Sequence, residues 1–169
     1  ATLEQVSGTA GIGVSFLEET FASVHADPRF RRHSLAARGV LQALLPEHGT
    51  DIKGHMRSHV DLLTASGYQD HPSDFADLLR ILDGEFRLIT PTDPDGDSLG
   101  SSSRNSTLAS RYYQLTHDYL VPSLREWLTR KQKETRRGRA ELKLAERSSL
   151  WNVKPENRYL PSLVEWFSI

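Results

Sequence analysis

A chain of 169 residues has room for one domain with appended segments, or for two very small domains. Its 21 basic and 22 acidic residues leave a formal charge of −1, which supplies no long-range field to draw the whole chain onto nucleic acid or an anionic membrane. The absence of cysteine excludes disulfides, thiolate metal sites and a cysteine nucleophile, and the apolar runs fall far short of the roughly 20 residues that span a bilayer. The sequence opens at Ala1 without a charged-then-apolar leader and stops on the apolar stretch Leu163 to Ile169, so a cytoplasmic piece of a larger regulated protein is expected.

Residues 1–34 read as a linker, loosened by Gly8, Gly11 and Gly13, followed by a short helix around Phe16 to Val24 that Pro28 closes. The glycines do not form a phosphate loop, because no Gly-Lys-Ser/Thr follows them. From Leu35 the apolar residues Leu35, Ala37, Val40, Leu41, Leu44 and Leu45 share a helical face, which Pro46 and Gly49 end. Thr50 or Asp51 is placed to cap a second helix, with Ile52, Met56, Val60 and Leu63 inward and Gly67 as its stop. A third helix is predicted from Ser73 or Asp74 to Asp83-Gly84, packing Phe75, Leu78, Leu79 and Leu82.

The period then changes to two over Glu85 to Thr90, a strand that Pro91 should stop. Residues 91–110 are dense in Asp, Gly and Ser and read as a hairpin tip; Arg111 to Thr116 resumes a strand with Tyr113 and Leu115 on one face. A fourth helix is predicted from about Asp118, with Leu120, Val121, Leu124, Trp127 and Leu128 on one stripe. Helix, helix, helix, strand, long loop, strand, helix is the order of a winged helix, so the expected class is mainly α with a small β-hairpin. The expected organisation is a lead-in over 1–34, a winged-helix domain over 35–130, and a charged helix with an aromatic segment over 131–169.

In a winged helix the third helix would read DNA, which demands cations facing phosphate. Here it carries Asp74, Asp77 and Asp83, followed by Glu85, against Arg80 and Arg87, and repulsion should dominate. Nucleic acid is therefore not an expected partner. Arg136, Arg137 and Arg139 form a better basic patch, and with Trp151 and Trp166 they make a candidate interaction surface; charge runs on a helix are also commonly just solvated. His55 and His59 stand four apart, a spacing that can present two imidazoles to zinc, but no Glu follows the first and no third ligand is evident, so no metal site is expected. No nucleophile elbow is present, Glu18 and Glu19 point apart, and no catalytic residue is assigned.

The densest cluster is Tyr112-Tyr113-Gln114-Leu115-Thr116-His117-Asp118-Tyr119-Leu120. It puts His117 where a strand turns into a helix, so its imidazole N–H and the helix's free backbone donors could converge on an anion, with Asp118 capping the helix. The alternative is that Thr116 and Asp118 merely start a helix while His117 fills the turn.

Leu115 to Leu120, followed by Ser123-Leu124-Arg125-Glu126-Trp127-Leu128, resembles the winged-helix subdomain of STAND-type signalling NTPases, relatives of the NB-ARC proteins. In that family a Met-His-Asp or similar triplet closes the wing and opens the last helix. The resemblance extends back through Ala36-Ala37-Arg38 and Leu82 to Ile89, and covers roughly residues 35–130. The wider chain, including Gly49 to His55 and Trp151 to Asn157, is similar to large bacterial proteins that set such a switch beside a serine/threonine-kinase module.

The resemblance implies nucleotide sensing by Thr116, His117 and Asp118, the histidine touching the β-phosphate of ADP held by an upstream nucleotide-binding domain of the same parent chain. It implies ADP or ATP with magnesium in the parent protein, protein partners, and no cofactor in this piece. Thr116 stands where the family usually has Met, which leaves the donor at His117 intact. The phosphate loop and the magnesium-holding acidic strand are missing, so tight nucleotide binding by these residues alone is not expected.

Overall fold

A computed structural model describes residues 8–46, 56–92, 111–153 and 155. Two compact units divide the chain, Ala1–Glu126 and Trp127–Ile169. Among the described residues the architecture is mainly helical, with a small three-stranded antiparallel sheet.

Helix α1 spans Gly8–Leu17 and runs on as a π turn through Glu18–Ala22. The turn closes with the Ser23 N–H donating five residues back to the Glu18 carbonyl at 2.7 Å. The glycine-bearing segment expected to be a linker is thus helical, and it buries Val14, Leu17 and Phe21. Close packing explains one of its glycines: a Cβ on Gly13 would stand 2.5 Å from Ser123 Oγ.

The short helix α2, Pro28–Arg31, starts on a proline with Asp27 capping the Arg29 N–H at 2.8 Å. Helix α3, Ser34–Leu44, buries Ala37, Val40, Leu41 and Leu44 of the predicted face together with Ala36, while Leu35 stands exposed and Leu45 is a half-buried residue just past the helix end.

The second predicted helix is shorter than its apolar spacing suggested. Residues 50–55, including Ile52 and His55, lie outside the described residues. Met56 is exposed, Arg57–Ser58 is a strand, β1, and helix α4 covers only His59–Ser66. A capping box sets that start: Ser58 Oγ accepts from the Asp61 N–H while Asp61 accepts from the Ser58 N–H. Starting there turns Leu62 into the core and leaves Val60 at the surface. Gly67 ends the helix at φ 74°, as the sequence predicts.

Helix α5, Pro72–Arg80, widens into a π turn over Ile81–Glu85 and buries Phe75, Leu78, Leu79 and Leu82, the predicted set. Glu85 therefore belongs to the helix end, and Arg87 turns the chain at φ 50°, so the strand β2 begins only at Ile89. Strand β2 runs Ile89–Thr92 and contains Pro91 rather than stopping before it. Strand β3, Tyr112–Leu115, lies between the other two in the order β1-β3-β2, so Pro91 sits on an edge strand, where a missing N–H costs little. Ile89 faces Leu115, and Pro91 and Arg57 flank Tyr113 from opposite sides. Tyr113 and Leu115 point inward together, as their alternation predicts.

Helix α6 spans Leu120–Glu134 and buries Val121, Leu124, Trp127 and Leu128. The charged segment beyond is a separate helix, α7, Arg136–Val153. Thr135 makes the break, its Oγ1 accepting from the Gly138 N–H at 3.0 Å as a cap for α7. A Cβ on Gly138 would collide with the Gln132 carbonyl oxygen, so this tight junction requires glycine. Trp151 is half-buried on α7, and Trp166 lies outside the described residues.

Candidate functional site

The corner joining β3 to α6 is built from main-chain bonds. Thr116 donates its N–H to the Leu88 carbonyl at 3.0 Å and shares a 2.9 Å hydroxyl contact with Thr90, so it stitches β3 to the β2 side. The His117 carbonyl accepts from the Leu120 N–H at 3.2 Å, and the Asp118 carbonyl accepts from the Val121 N–H at 3.0 Å. Asp118 thus enters the helix start through its backbone, not as the side-chain cap expected of it.

These bonds also alter the expected anion geometry. Two donors of the first turn are engaged, and the next residue, Pro122, has none, so the helix terminus offers little to converge with the imidazole. What the corner does present is the ring of His117. It is exposed, and it stacks on Tyr119 at 5.1 Å between centroids and 16° between planes. Tyr119 itself is 72% exposed.

The basic candidates serve local structure in part. Arg139 donates to the Lys133 carbonyl at 2.8 Å, filling an acceptor at the end of α6, and Arg137 pairs with Glu141 one turn on at 2.8 Å. Arg136 is exposed on the first turn of α7. Within the same unit Lys131 is buried and pairs with Glu134 at 2.8 Å. Of the suggested zinc pair, only His59 is described; its ring meets Phe75 edge-on at 5.0 Å. Among the described residues no group of three His, Asp or Glu side chains could hold a metal ion.

A second polar cluster escaped the sequence reading. His33 is fully buried; its Nδ1 lies 2.9 Å from the Tyr68 hydroxyl, and its Nε2 accepts from Arg32 Nε at 2.9 Å. Arg32 reaches on to Asp77 at 2.8 Å, which Arg80 also holds at 2.9 Å. Burial, then the Arg32 charge, pushes the imidazole's pKa below its ordinary value. Burial likewise raises the Tyr68 phenol, and the two arginines hold Asp77 below the usual carboxylate range, the Arg80 hydrogen bond foremost. Nothing in sequence spacing signals this cluster, because His33 and Tyr68 are 35 residues apart.

Neither a protein-family model nor a curated protein nor a solved structure matches this chain. Among the described residues no helix is long and apolar enough to cross a membrane.

Proposed function

We propose that the chain is a regulatory winged-helix subdomain of a STAND-type signalling NTPase, with His117 as the residue that senses bound nucleotide. The observation that carries this reading is the exposed imidazole at the strand-to-helix corner, available to a diphosphate presented by a neighbouring domain. The element order from α3 to α6, with the central β3 pairing both β1 and β2, supports the winged-helix part. On this reading the contact is a single hydrogen bond from the ring rather than a helix-terminus nest, and its contribution is bounded by that one interaction. A hydrogen bond to a charged group contributes about 1.5–3 kcal/mol, enough to shift a closed–open equilibrium by roughly one to two orders of magnitude.

The test is His117→Ala in the intact protein that carries the phosphate-loop domain, measuring the dissociation of ADP and of ATP. ADP should leave about tenfold faster or more, with ATP little affected. Equal ADP dissociation from both proteins would remove the sensing role. DNA binding is the competing class, and it predicts duplex affinity with a steep salt dependence; no such affinity is expected with Asp74, Asp77 and Asp83 on and just after α5.

A further inference from the structure

We propose that His33 is a proton-operated latch that fastens the α2–α3 corner to the α4–α5 connection while its ring is neutral and releases it when the ring takes a second proton. The argument rests on which hydrogen each partner owns. A guanidinium has donors only, so the 2.9 Å approach of Arg32 Nε requires a bare lone pair on His33 Nε2. The ring's single proton then belongs on Nδ1, where it is donated to the Tyr68 hydroxyl at 2.9 Å. One tautomer satisfies both contacts, and no charged form does.

A second proton has only Nε2 to occupy, where it would point at the Arg32 N–H and set two cations in contact. The ring has no exposed face through which water could relieve that conflict, since His33 is fully buried. The groups facing it are Arg29 and Arg32 from the α2 side, Tyr68 from the α4–α5 connection, and Asp74 and Asp77 from α5. Asp77 already shares its carboxylate between Arg32 and Arg80, at 2.8 and 2.9 Å, and it lies on the far side of Arg32 as a ready seat for that guanidinium. The second proton breaks the Arg32 contact at Nε2 but not the Nδ1–H bond to Tyr68. That bond is lost only as the charged ring, buried with no acceptor at Nε2, swings out to water and leaves Arg32 on Asp77. The corner that loosens is also held by Arg29, which pairs with Glu85 at the end of α5, so it swings rather than detaches.

Imidazole 15N spectra and amide exchange on this chain test the latch. At neutral pH the His33 ring should show the Nδ1–H tautomer. Below about pH 6.5 the protection of the His33 and Ala37 amides, bonded to the Phe30 and His33 carbonyls, should fall about tenfold per pH unit, in step with shifts at Tyr68 and Asp77. His33→Gln should keep that protection constant over the same range. Arg32→Met should move the ring's midpoint upward, which keeps the idea testable if the glutamine variant does not fold. An Nε2–H tautomer at neutral pH, protection that is the same at pH 7 and 5, or a midpoint indifferent to Arg32 would each overturn the proposal.

Discussion

Gly39 shows how much a single missing methyl group decides in this fold. It lies in the middle of α3, where glycine costs about 1 kcal/mol relative to alanine, so helix propensity alone would favour replacing it. A Cβ there would land on the carbonyl oxygen of Ala65 in α4, and a backbone atom cannot swing aside as a side chain can. Overpacking of this kind costs about 1–3 kcal/mol, more than the propensity gain. Gly39→Ala should therefore lower the denaturation midpoint, whereas the same substitution at Gly84, where nothing lies near the added atom, should not suffer from crowding. His33 belongs to the same scale: it occupies the residue before α3, but its ring turns to Tyr68 and Arg32 and makes no capping bond to the helix.

Among the elements, legibility followed the length of the amphipathic signal. Helices α5 and α6 and strand β3 were readable because Phe75, Leu78, Leu79 and Leu82, then Tyr113 and Leu115, then Val121, Leu124 and Trp127 repeat at unambiguous periods. Strand β1 was not, because two residues carry no period and their pairing with Tyr112 and Tyr113 is fixed from far along the chain. Met56 and Val60 imitated a helical stripe that the structure leaves exposed, and the informative signal was the Ser58–Asp61 pair three apart. Removing it with Ser58→Ala should cost about 1 kcal/mol, read as a lower urea midpoint at unchanged slope. The candidate corner was legible as a location but not in its wiring: the order strand, histidine, helix lies in the sequence, while the stacking of His117 on Tyr119 and the engagement of the first-turn donors depend on backbone geometry.

For the molecule as a whole, two buried rings, His33 and Tyr113, and two half-buried ones, His59 and Tyr68, set a window of pH stability. His33 and His59 are both pushed below the ordinary imidazole value, by burial first and then by Arg32 and Arg111 respectively. The unfolded chain then takes up protons first as pH falls, so their contribution is complete above about pH 6.5 and is lost on the way down toward the lowered folded values. Tyr68 and Tyr113 are raised, chiefly by burial, so the unfolded chain loses protons first above about pH 10 and stability declines again there. Thermal melts across pH should show a plateau between these limits and a falling midpoint on each side. A midpoint that keeps rising as pH drops from 7 to 5 would contradict it.

The two borders of the sheet carry a consequence for association. Among the described residues one border is β1, two residues long, and the other is β2, which carries Pro91 within Ile89–Thr92. A visiting strand that tried to extend the ladder would meet one rim too short to grip and another interrupted by an imino acid. Main-chain zippering is thereby discouraged, and recognition by this small sheet is left to the chemistry of side chains.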